Sequence, residues 1–417
     1  MLDSVKRFDM EKKPMRQHLR PLMWALSFPS LWAHRESLKK IHMEAIKPPY
    51  LLLCNHNAFL DMKTALRATF PHRQNFVVAI DGFIGREWLL RLIGCICKRK
   101  FTNDTALIWK LRRVVRRGDI VTIYPEARYS LCGTTAVLPD GIGRLAKFLK
   151  VPVVTLIAHG HHVNSPFWNL PDHKVKGTEA VMTGLLSADD VKTLSHEEIK
   201  KRIEEAFFYD DFAWQKEKGI RINYKGRADG LHKILYQCPH CLTEYRMKGE
   251  GTHLSCLACG KTWEMTEYGE LRAAEGETEF SHIPDWYEWE RQNVRREVEN
   301  GTYAVSLPAQ VDALPNAKKY IDIGKALLQH NAQGFTLTGS FRGEAYTVHL
   351  PADTLYSVHI EYDYLGKKGD CVDLNTLTDT LYVYPEGRDF SVTKMALATE
   401  ELYQYQRKKQ KEEKEAE

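Results

Sequence analysis

The chain of 417 residues has no apolar stretch near the ~20 residues that a membrane-spanning helix needs. Its first residues, MLDSVKRFDMEKKPMRQ, also lack the uninterrupted apolar core of a secretion signal. The composition also differs from that of a disordered chain, since 43% of the residues are hydrophobic and 27% are charged. No long-period repeat is present. We therefore expect a folded cytoplasmic protein of two or three domains.

The chain as a whole has little excess of either charge, with a formal net charge of only +5. Basic and acidic residues are nevertheless distributed unevenly along it. Residues 1–150 contain 27 Lys and Arg against 12 Asp and Glu, and the remainder is net negative. A basic first part predicts an anionic partner, which could be nucleic acid, lipid headgroups or a phosphorylated substrate.

Residues 18–33, HLRPLMWALSFPSLWA, are rich in leucine and tryptophan and are flanked by arginines. Pro21 and Pro29 interrupt the stretch, so it cannot span a bilayer as one long apolar helix. It could lie in a membrane interface, with tryptophans at headgroup depth, or it could be a pair of core helices. The sequence favours neither interpretation, and both could hold at once.

From residue 50 to about 165, short apolar runs alternate with helical patterns of about ten residues. We predict strands at 50–54, 75–80, 95–99, 119–125 and 151–160. We predict helices between them at 59–70, 86–94, 105–118 and 141–150. This alternation is typical of an α/β fold with a largely parallel sheet flanked by helices. Residues 166–230 are expected to be helical, with Ser195 and Glu198 in a capping box.

Three polar segments follow predicted strands: NHNAFLD at 55–61, KRK at 98–100 and YPEARYS at 124–130. The carboxyl ends of parallel strands meet at one edge of a sheet, where open α/β folds bind ligands. His56 could act there as a general base, with Asp61 fixing its tautomer and stabilising its cation. No serine or cysteine stands beside His56 as a nucleophile, so the base would activate a hydroxyl of the substrate itself.

NHNAFLD resembles the NHxxxxD motif of the glycerolipid acyltransferases, the family that includes 1-acylglycerol-3-phosphate acyltransferase. GCICKR, YPEARYS and VPVV resemble the next three motifs in order, and the resemblance covers residues 45–165. It implies acyl transfer from a thioester to a lipid hydroxyl, with His56 as base and Asp61 as its partner. It further implies substrate-binding residues, which are Asn55, Arg99, Glu126 and Arg128. Arg99 and Arg128 would meet the acceptor's phosphate, and Glu126 would order the pocket.

The sequence departs from the family pattern in two motifs. Glu-Ala-Arg-Tyr stands where the family has Glu-Gly-Thr-Arg, so Arg128 comes one position early and the glycine is missing. Thr155 replaces the final proline of the fourth motif. The base chemistry is little affected by these changes, whereas the identity of the acceptor is.

Four of the nine cysteines form two CxxC pairs, CPHC and CLAC, separated by 14 residues. Two such knuckles predict a zinc ribbon with a structural metal held by Cys238, Cys241, Cys256 and Cys259. A redox role for the CxxC pairs is the alternative, and His240 or His253 could replace a cysteine ligand. The other five cysteines are scattered and are expected to be reduced core residues.

These observations predict an acyltransferase domain at 1–230, with interfacial helices at 1–45 and the motif core at 45–165. A zinc ribbon at 231–270 and a β-rich module with a terminal helix at 300–417 follow. We expect transfer from acyl-CoA or acyl carrier protein to a lyso-phospholipid, with 1-acylglycerol-3-phosphate favoured, as a peripheral enzyme on the inner membrane face. The thioester is a co-substrate, and neither a catalytic cofactor nor a nucleic-acid partner is expected. The alternatives are another acceptor, such as a non-phosphate alcohol, or a non-catalytic membrane-associated binding protein.

Overall fold

Buried apolar runs form the centre of a seven-stranded sheet in the computed structural model, which describes residues 5–366 and 368–416. The strands are β1 (Ser37–Ile41), β2 (Leu51–Cys54), β3 (Gln74–Ala79), β4 (Ile96–Lys98), β5 (Ile120–Ile123), β6 (Val153–His159) and β7 (Glu179–Leu186). Their order across the sheet is β1-β7-β6-β2-β5-β3-β4. Every neighbouring pair is parallel except β6 with β7. The predicted α/β fold with a largely parallel sheet is confirmed.

Four of the nine α-helices described in this region lie between strands where the sequence predicts them. They are α1 (Arg20–Ala33), α2 (Leu60–Ala68), α3 (Glu87–Leu92), α4 (Thr105–Arg116), α5 (Ile142–Leu149), α6 (His161–Asn164), α7 (Ala188–Thr193), α8 (His196–Ala206) and α9 (Asp211–Glu217). The capping box is present, since Ser195 accepts the N–H of Glu198 at the start of α8. The prediction of helix alone for 166–230 is wrong, because β7 lies in that region and pairs antiparallel with β6. Short apolar runs leave helix and strand hard to distinguish from sequence.

The amino-terminal segment forms one helix, α1, rather than a pair of helices. Pro21 falls in its first turn, where a missing N–H costs nothing, and Pro29 lies inside it. Leu31 is buried against the domain, whereas Leu26 and Trp32 point away from it and are 69% and 66% exposed. Among the described residues, no helix has both the length and the apolarity to cross a membrane.

The cysteine pairs lie on a small antiparallel sheet, and a long helix connects it to the last region. The strands are β8 (Met247–Glu250), β9 (His253–Cys256), β10 (Thr262–Met265) and β11 (Leu271–Ala273), in the order β11-β10-β9-β8. The helix is α10 (Ile283–Glu299). Trp263 of β10 and Trp286 of α10 are fully buried and meet edge to face, with ring centroids 5.0 Å apart. The small sheet is therefore packed on the rest of the protein.

The carboxyl-terminal region is β-rich and ends in a helix, as predicted. Its antiparallel sheet contains β12 (Val305–Leu314), β13 (Ile321–Asn331), β14 (Gly334–Phe341), β15 (Glu344–Pro351), β16 (His359–Glu361), β17 (Cys371–Asn375) and β18 (Thr380–Pro385). The order is β15-β14-β13-β12-β18-β17-β16, and α11 (Val392–Ala416) follows. One buried apolar cluster contains Phe83 and Cys97 of the first region together with Leu314 and Tyr382 of this one. The carboxyl-terminal sheet thus packs beside β4 and the turn that follows β3.

Candidate active site

His56 lies in the turn between β2 and α2, just beyond the carboxyl end of a fully buried strand. Its Nδ1 atom is 3.1 Å from Oδ2 of Asp61, which lies in the first turn of α2. The His56 side chain remains 24% exposed. Because Nδ1 faces the carboxylate, Nε2 is the nitrogen that a substrate hydroxyl can approach. The structure therefore brings the sequence-predicted base and its predicted partner into contact.

The carboxylate of Asp61 is buried and fully hydrogen-bonded. Its Oδ2 atom also accepts the backbone N–H groups of Asn57 at 2.6 Å and Ala58 at 2.9 Å. Its Oδ1 atom lies 2.6 Å from Nδ1 of His161. Burial alone raises the pKa of Asp61, but hydrogen bonds from His161 and His56 outweigh burial and lower this pKa to about 2. Asp61 is thus ionised at neutral pH and held in one orientation.

His161, which belongs to none of the sequence motifs described above, begins α6 two residues after the end of β6 and is fully buried. Its second nitrogen, Nε2, lies 3.3 Å from Oε2 of Glu36. Burial lowers the pKa of His161, but its bonds to Asp61 and Glu36 raise it to about 10. The sequence held one cue that could have found this residue. HGHH ends a strand that neighbours β2, so it reaches the same edge of the sheet as His56.

Two tyrosines of the YPEARYS segment enclose the imidazole of His56. The ring of Tyr124 stacks on it with centroids 4.2 Å apart, and the ring of Tyr129 is tilted against it at 4.4 Å. The backbone adds a further link, because the N–H of Ser130 donates to the carbonyl oxygen of His56. The segment after β5 therefore fixes both the ring and the backbone of the histidine.

Glu126 lies behind the histidine and contacts its backbone. Its Oε2 atom accepts the backbone N–H of His56 at 2.7 Å, and Oε1 accepts the N–H of Ala136 and the hydroxyl of Tyr209. Burial raises the pKa of Glu126 to about 7, because these donors do not fully replace hydration. The sequence gave no indication of Tyr209, which lies between α8 and α9. These contacts order the turn that carries His56.

Asn55 bridges the ends of two neighbouring strands. Its amide nitrogen donates to the carbonyl oxygen of Ala158, and its amide oxygen accepts the N–H of the same residue, both at 2.9 Å. With both ends of the amide bonded to β6, its side chain is 1% exposed. A substrate-binding role for Asn55 stays a prediction, and the contacts seen here hold β2 against β6.

Arg99, at the end of β4, is turned toward the carboxyl-terminal sheet. Its guanidinium donates to the carbonyl oxygens of Leu314 and Pro315, each at 3.0 Å, and to the hydroxyl of Thr380 at 2.7 Å. Its side chain is fully buried. A phosphate could reach this guanidinium only if these bonds were broken, so that role stays a prediction.

Arg128 is bound in a similar way by the last helix. Its Nη2 atom lies 2.6 Å from Oε1 of Glu400 in α11, and Nη1 donates to the carbonyl oxygen of Val358. Glu400 is also buried, and it accepts Arg291 at 2.7 Å and the hydroxyl of Ser357. Burial raises the pKa of Glu400, but the two arginines outweigh burial and lower it. Glu400 is therefore a carboxylate between two guanidinium groups.

The four predicted metal ligands converge at one point of the small sheet. The sulfur atoms of Cys238, Cys241, Cys256 and Cys259 all lie within 4.8 Å of one another. Cys238 and Cys259 are 3.8 Å apart, and Cys241 and Cys256 are 3.7 Å apart. Zinc–sulfur bonds of ~2.3 Å in a tetrahedron place the sulfurs about 3.8 Å from one another, so the four side chains fit a zinc ion.

The match to a family model supports the resemblance drawn from the motifs. Residues 34–159 match the family model described as acyltransferase, and this range contains His56 and Asp61. Four chains of known structure match this one. One is the 1-acyl-sn-glycerophosphate (LPA) acyltransferase PlsC from Thermotoga maritima, with 14% identity and a TM-score of 0.37 over 45% of this chain and 76% of that chain. No curated protein matches.

Because Glu400 binds Arg128 in the protein interior, we expect its replacement by an uncharged residue to destabilise the fold strongly. Glu400→Gln would leave Arg128 and Arg291 buried without their shared carboxylate, so we expect the free energy of unfolding to fall by about 3–5 kcal/mol. Urea unfolding followed by circular dichroism measures this loss.

Glu412→Gln is the matched control, because this carboxylate lies on the same helix and forms an exposed ion pair with Lys408. We expect it to cost less than about 1 kcal/mol. Equal losses in the two variants would contradict the buried role given to Glu400.

Proposed function

We propose that this protein transfers a fatty acyl chain from acyl-CoA or acyl carrier protein to a hydroxyl of a lyso-phospholipid. The observation that carries the proposal is the His56–Asp61 pair, which lies in the region that matches the acyltransferase family model. The half-buried imidazole has one nitrogen on a carboxylate and the other available to an acceptor.

In the proposed reaction His56 is the general base. Its Nε2 atom takes the proton of the acceptor hydroxyl while the hydroxyl oxygen attacks the carbonyl carbon of the thioester. The tetrahedral intermediate collapses, the carbon–sulfur bond breaks, and the imidazolium returns the proton to the leaving thiolate. Asp61 keeps a proton on Nδ1 of His56 and stabilises the imidazolium between these two steps.

The α1–α2 face supports work at a membrane surface. Leu22, Leu26 and Trp32 of α1 are exposed, and Phe59, at the start of α2 and three residues after His56, is 67% exposed. The first 150 residues also carry the excess of Lys and Arg. Exposed apolar side chains next to basic ones favour an interface of anionic lipid. We place this face on the inner side of a membrane, with the catalytic histidine close to it.

The acceptor is the least constrained part of the proposal. 1-Acylglycerol-3-phosphate is the first acceptor to test, because the motifs resemble those of enzymes that use it. A second candidate, an alcohol without phosphate, is favoured by one observation: the guanidinium groups of Arg99 and Arg128 are occupied by acceptors of the chain itself. Phosphate recognition would have to come from other cations.

The cysteine cluster is proposed to hold a structural zinc ion. Four thiolates complete a tetrahedron and leave no position for a substrate, so the metal would stabilise the fold around β8–β11 rather than take part in acyl transfer.

Loss of the proposed base should remove nearly all turnover without unfolding the protein. We expect His56→Ala to lower kcat/KM by on the order of 10²–10⁴-fold, because it removes general-base catalysis. Asp61→Asn should cost less, since the imidazole remains. A labelled acyl donor with thin-layer separation measures both, and His72→Ala, an exposed histidine just after α2, is the control. Full activity of His56→Ala would rule out this mechanism.

A pair of acceptors that differ only in phosphate distinguishes the two candidate functions. We expect the wild-type protein to acylate 1-acylglycerol-3-phosphate faster than 1-acylglycerol, assayed with acyl-CoA and with acyl carrier protein. The reverse preference would establish the alcohol without phosphate as the acceptor. No transfer to any acceptor of a wider panel would favour the non-catalytic binding protein.

Metal analysis tests the zinc proposal. We expect about one zinc ion per chain by mass spectrometry of the purified protein, and we expect Cys256→Ser to lose the metal and to unfold at a lower temperature. Cys132→Ser, at a buried cysteine outside the cluster, should keep it. Zinc retained at full occupancy in Cys256→Ser would count against the site.

A further inference from the structure

Asp61 is shared by two imidazoles, and only one of them belongs to the proposed reaction. His56 contacts Oδ2 at 3.1 Å, and His161 contacts Oδ1 at 2.6 Å on the buried side of the same carboxylate. The shorter of the two contacts is therefore made by the histidine that no substrate can reach.

The geometry of His161 favours the imidazolium form. Both of its ring nitrogens face carboxylate oxygens, Nδ1 that of Asp61 and Nε2 that of Glu36. A neutral imidazole has a single N–H and would leave one nitrogen lone pair against an anionic oxygen. Only the doubly protonated ring can donate to both carboxylates, and the ring is completely buried.

The surrounding charges are consistent with this state. Glu36, just before β1, also accepts Arg67 at 3.2 Å and the hydroxyl of Thr64 at 2.5 Å, both from α2. The nearby His159 and His162 are directed to Asp211: Nδ1 of His159 lies 3.5 Å from this carboxylate, and the backbone N–H of His162 donates to it. The cluster around His161 thus pairs two carboxylates with one imidazolium and one guanidinium.

The charged groups on the other side of Asp61 are few. The ring of His56 lies against Tyr124 and Tyr129, and its backbone N–H reaches Glu126. Burial raises the pKa of both tyrosines, so neither ring carries a charge at neutral pH. Asp61 is therefore the carboxylate in direct contact with the His56 ring, and any group that offsets its charge acts on the basicity of His56.

We propose that His161 is a positioning residue that acts through Asp61, holding Oδ1 so that Oδ2 faces His56 and offsetting the negative charge of the carboxylate. An unopposed carboxylate would stabilise the protonated form of His56, which cannot accept a proton. The imidazolium of His161 weakens that effect. This proposal depends on the proposed function in one respect, which is that His56 is the general base.

The charge state can be measured without any activity assay. In the full-length protein labelled at histidine, nuclear magnetic resonance should show His161 with protons on both ring nitrogens from pH 6 to pH 9. A His161 ring that is neutral in this range would overturn the proposal. This measurement needs no variant, so it remains decisive if a substitution unfolds the protein.

The coupling is tested by His161→Gln. A neutral side chain removes the offsetting charge, so we expect the pKa of His56 to rise by about 0.5 or more in the same titration. His162→Gln is the matched control. His162 is equally buried, its ring nitrogens have no hydrogen-bond partner in the described chain, and burial lowers its pKa to about 4. It is neutral at pH 7, and its removal should leave the pKa of His56 unchanged.

The kinetic consequence separates a positioning role from a structural one. In His161→Gln the acid limb of kcat/KM should move to higher pH with the pKa of His56, whereas His162→Gln should keep the wild-type profile. A folded His161→Gln variant with an unchanged pKa of His56 would overturn the proposal. If the protein transferred no acyl group at all, the proposed function would fail, and the titration would still decide the role of His161.

Discussion

The carboxylate of Asp61 accepts four donors at a depth where water does not reach. Two are backbone N–H groups of the turn before α2, and two are the imidazoles of His56 and His161. An ionised carboxylate is costly to bury unless donors replace its hydration, and here every donor also has a fixed position. The turn, the start of α2 and the end of β6 must therefore all be in place before His56 has an oriented partner. The site therefore forms only when the sheet itself is assembled.

Two arginines that follow strands of the first sheet, Arg99 after β4 and Arg128 after β5, connect that sheet to the carboxyl-terminal region. Arg99 donates three hydrogen bonds across this boundary, and Arg128 meets Glu400 of α11. Breaking a buried contact of this kind leaves an unpaired charge, which costs several kcal/mol. These two arginines therefore work as structural anchors in this fold. An arginine at a motif position can therefore have the charge that a substrate would require and still be unavailable to bind it. Here the guanidinium groups are already hydrogen-bonded to residues more than 200 positions away in the sequence.

Local patterns predicted what depends on neighbours in the sequence. The alternation of strands and helices, the contact of His56 with Asp61 and the convergence of the four cysteines all follow from spacing and residue type. What stayed hidden depends on tertiary contacts. His161 lies 100 residues after Asp61, and Glu400 lies still farther from Arg128. The strand β7 was also missed, because its short apolar pattern, next to the helices that follow it, is equally compatible with a helix.

The surroundings of His56 differ between the two sides of the site. On the side of Arg99 and Arg128, the carboxyl-terminal region makes buried contacts with both guanidinium groups. On the side of α2, Phe59 is exposed, and α1 packs against α2 with its own apolar residues outward. In the proposed reaction, a lipid hydroxyl would arrive at Nε2 of His56 while its acyl chain stays in an apolar phase. The proposed function therefore assigns membrane contact and proton transfer to the α1–α2 side, where apolar side chains are exposed.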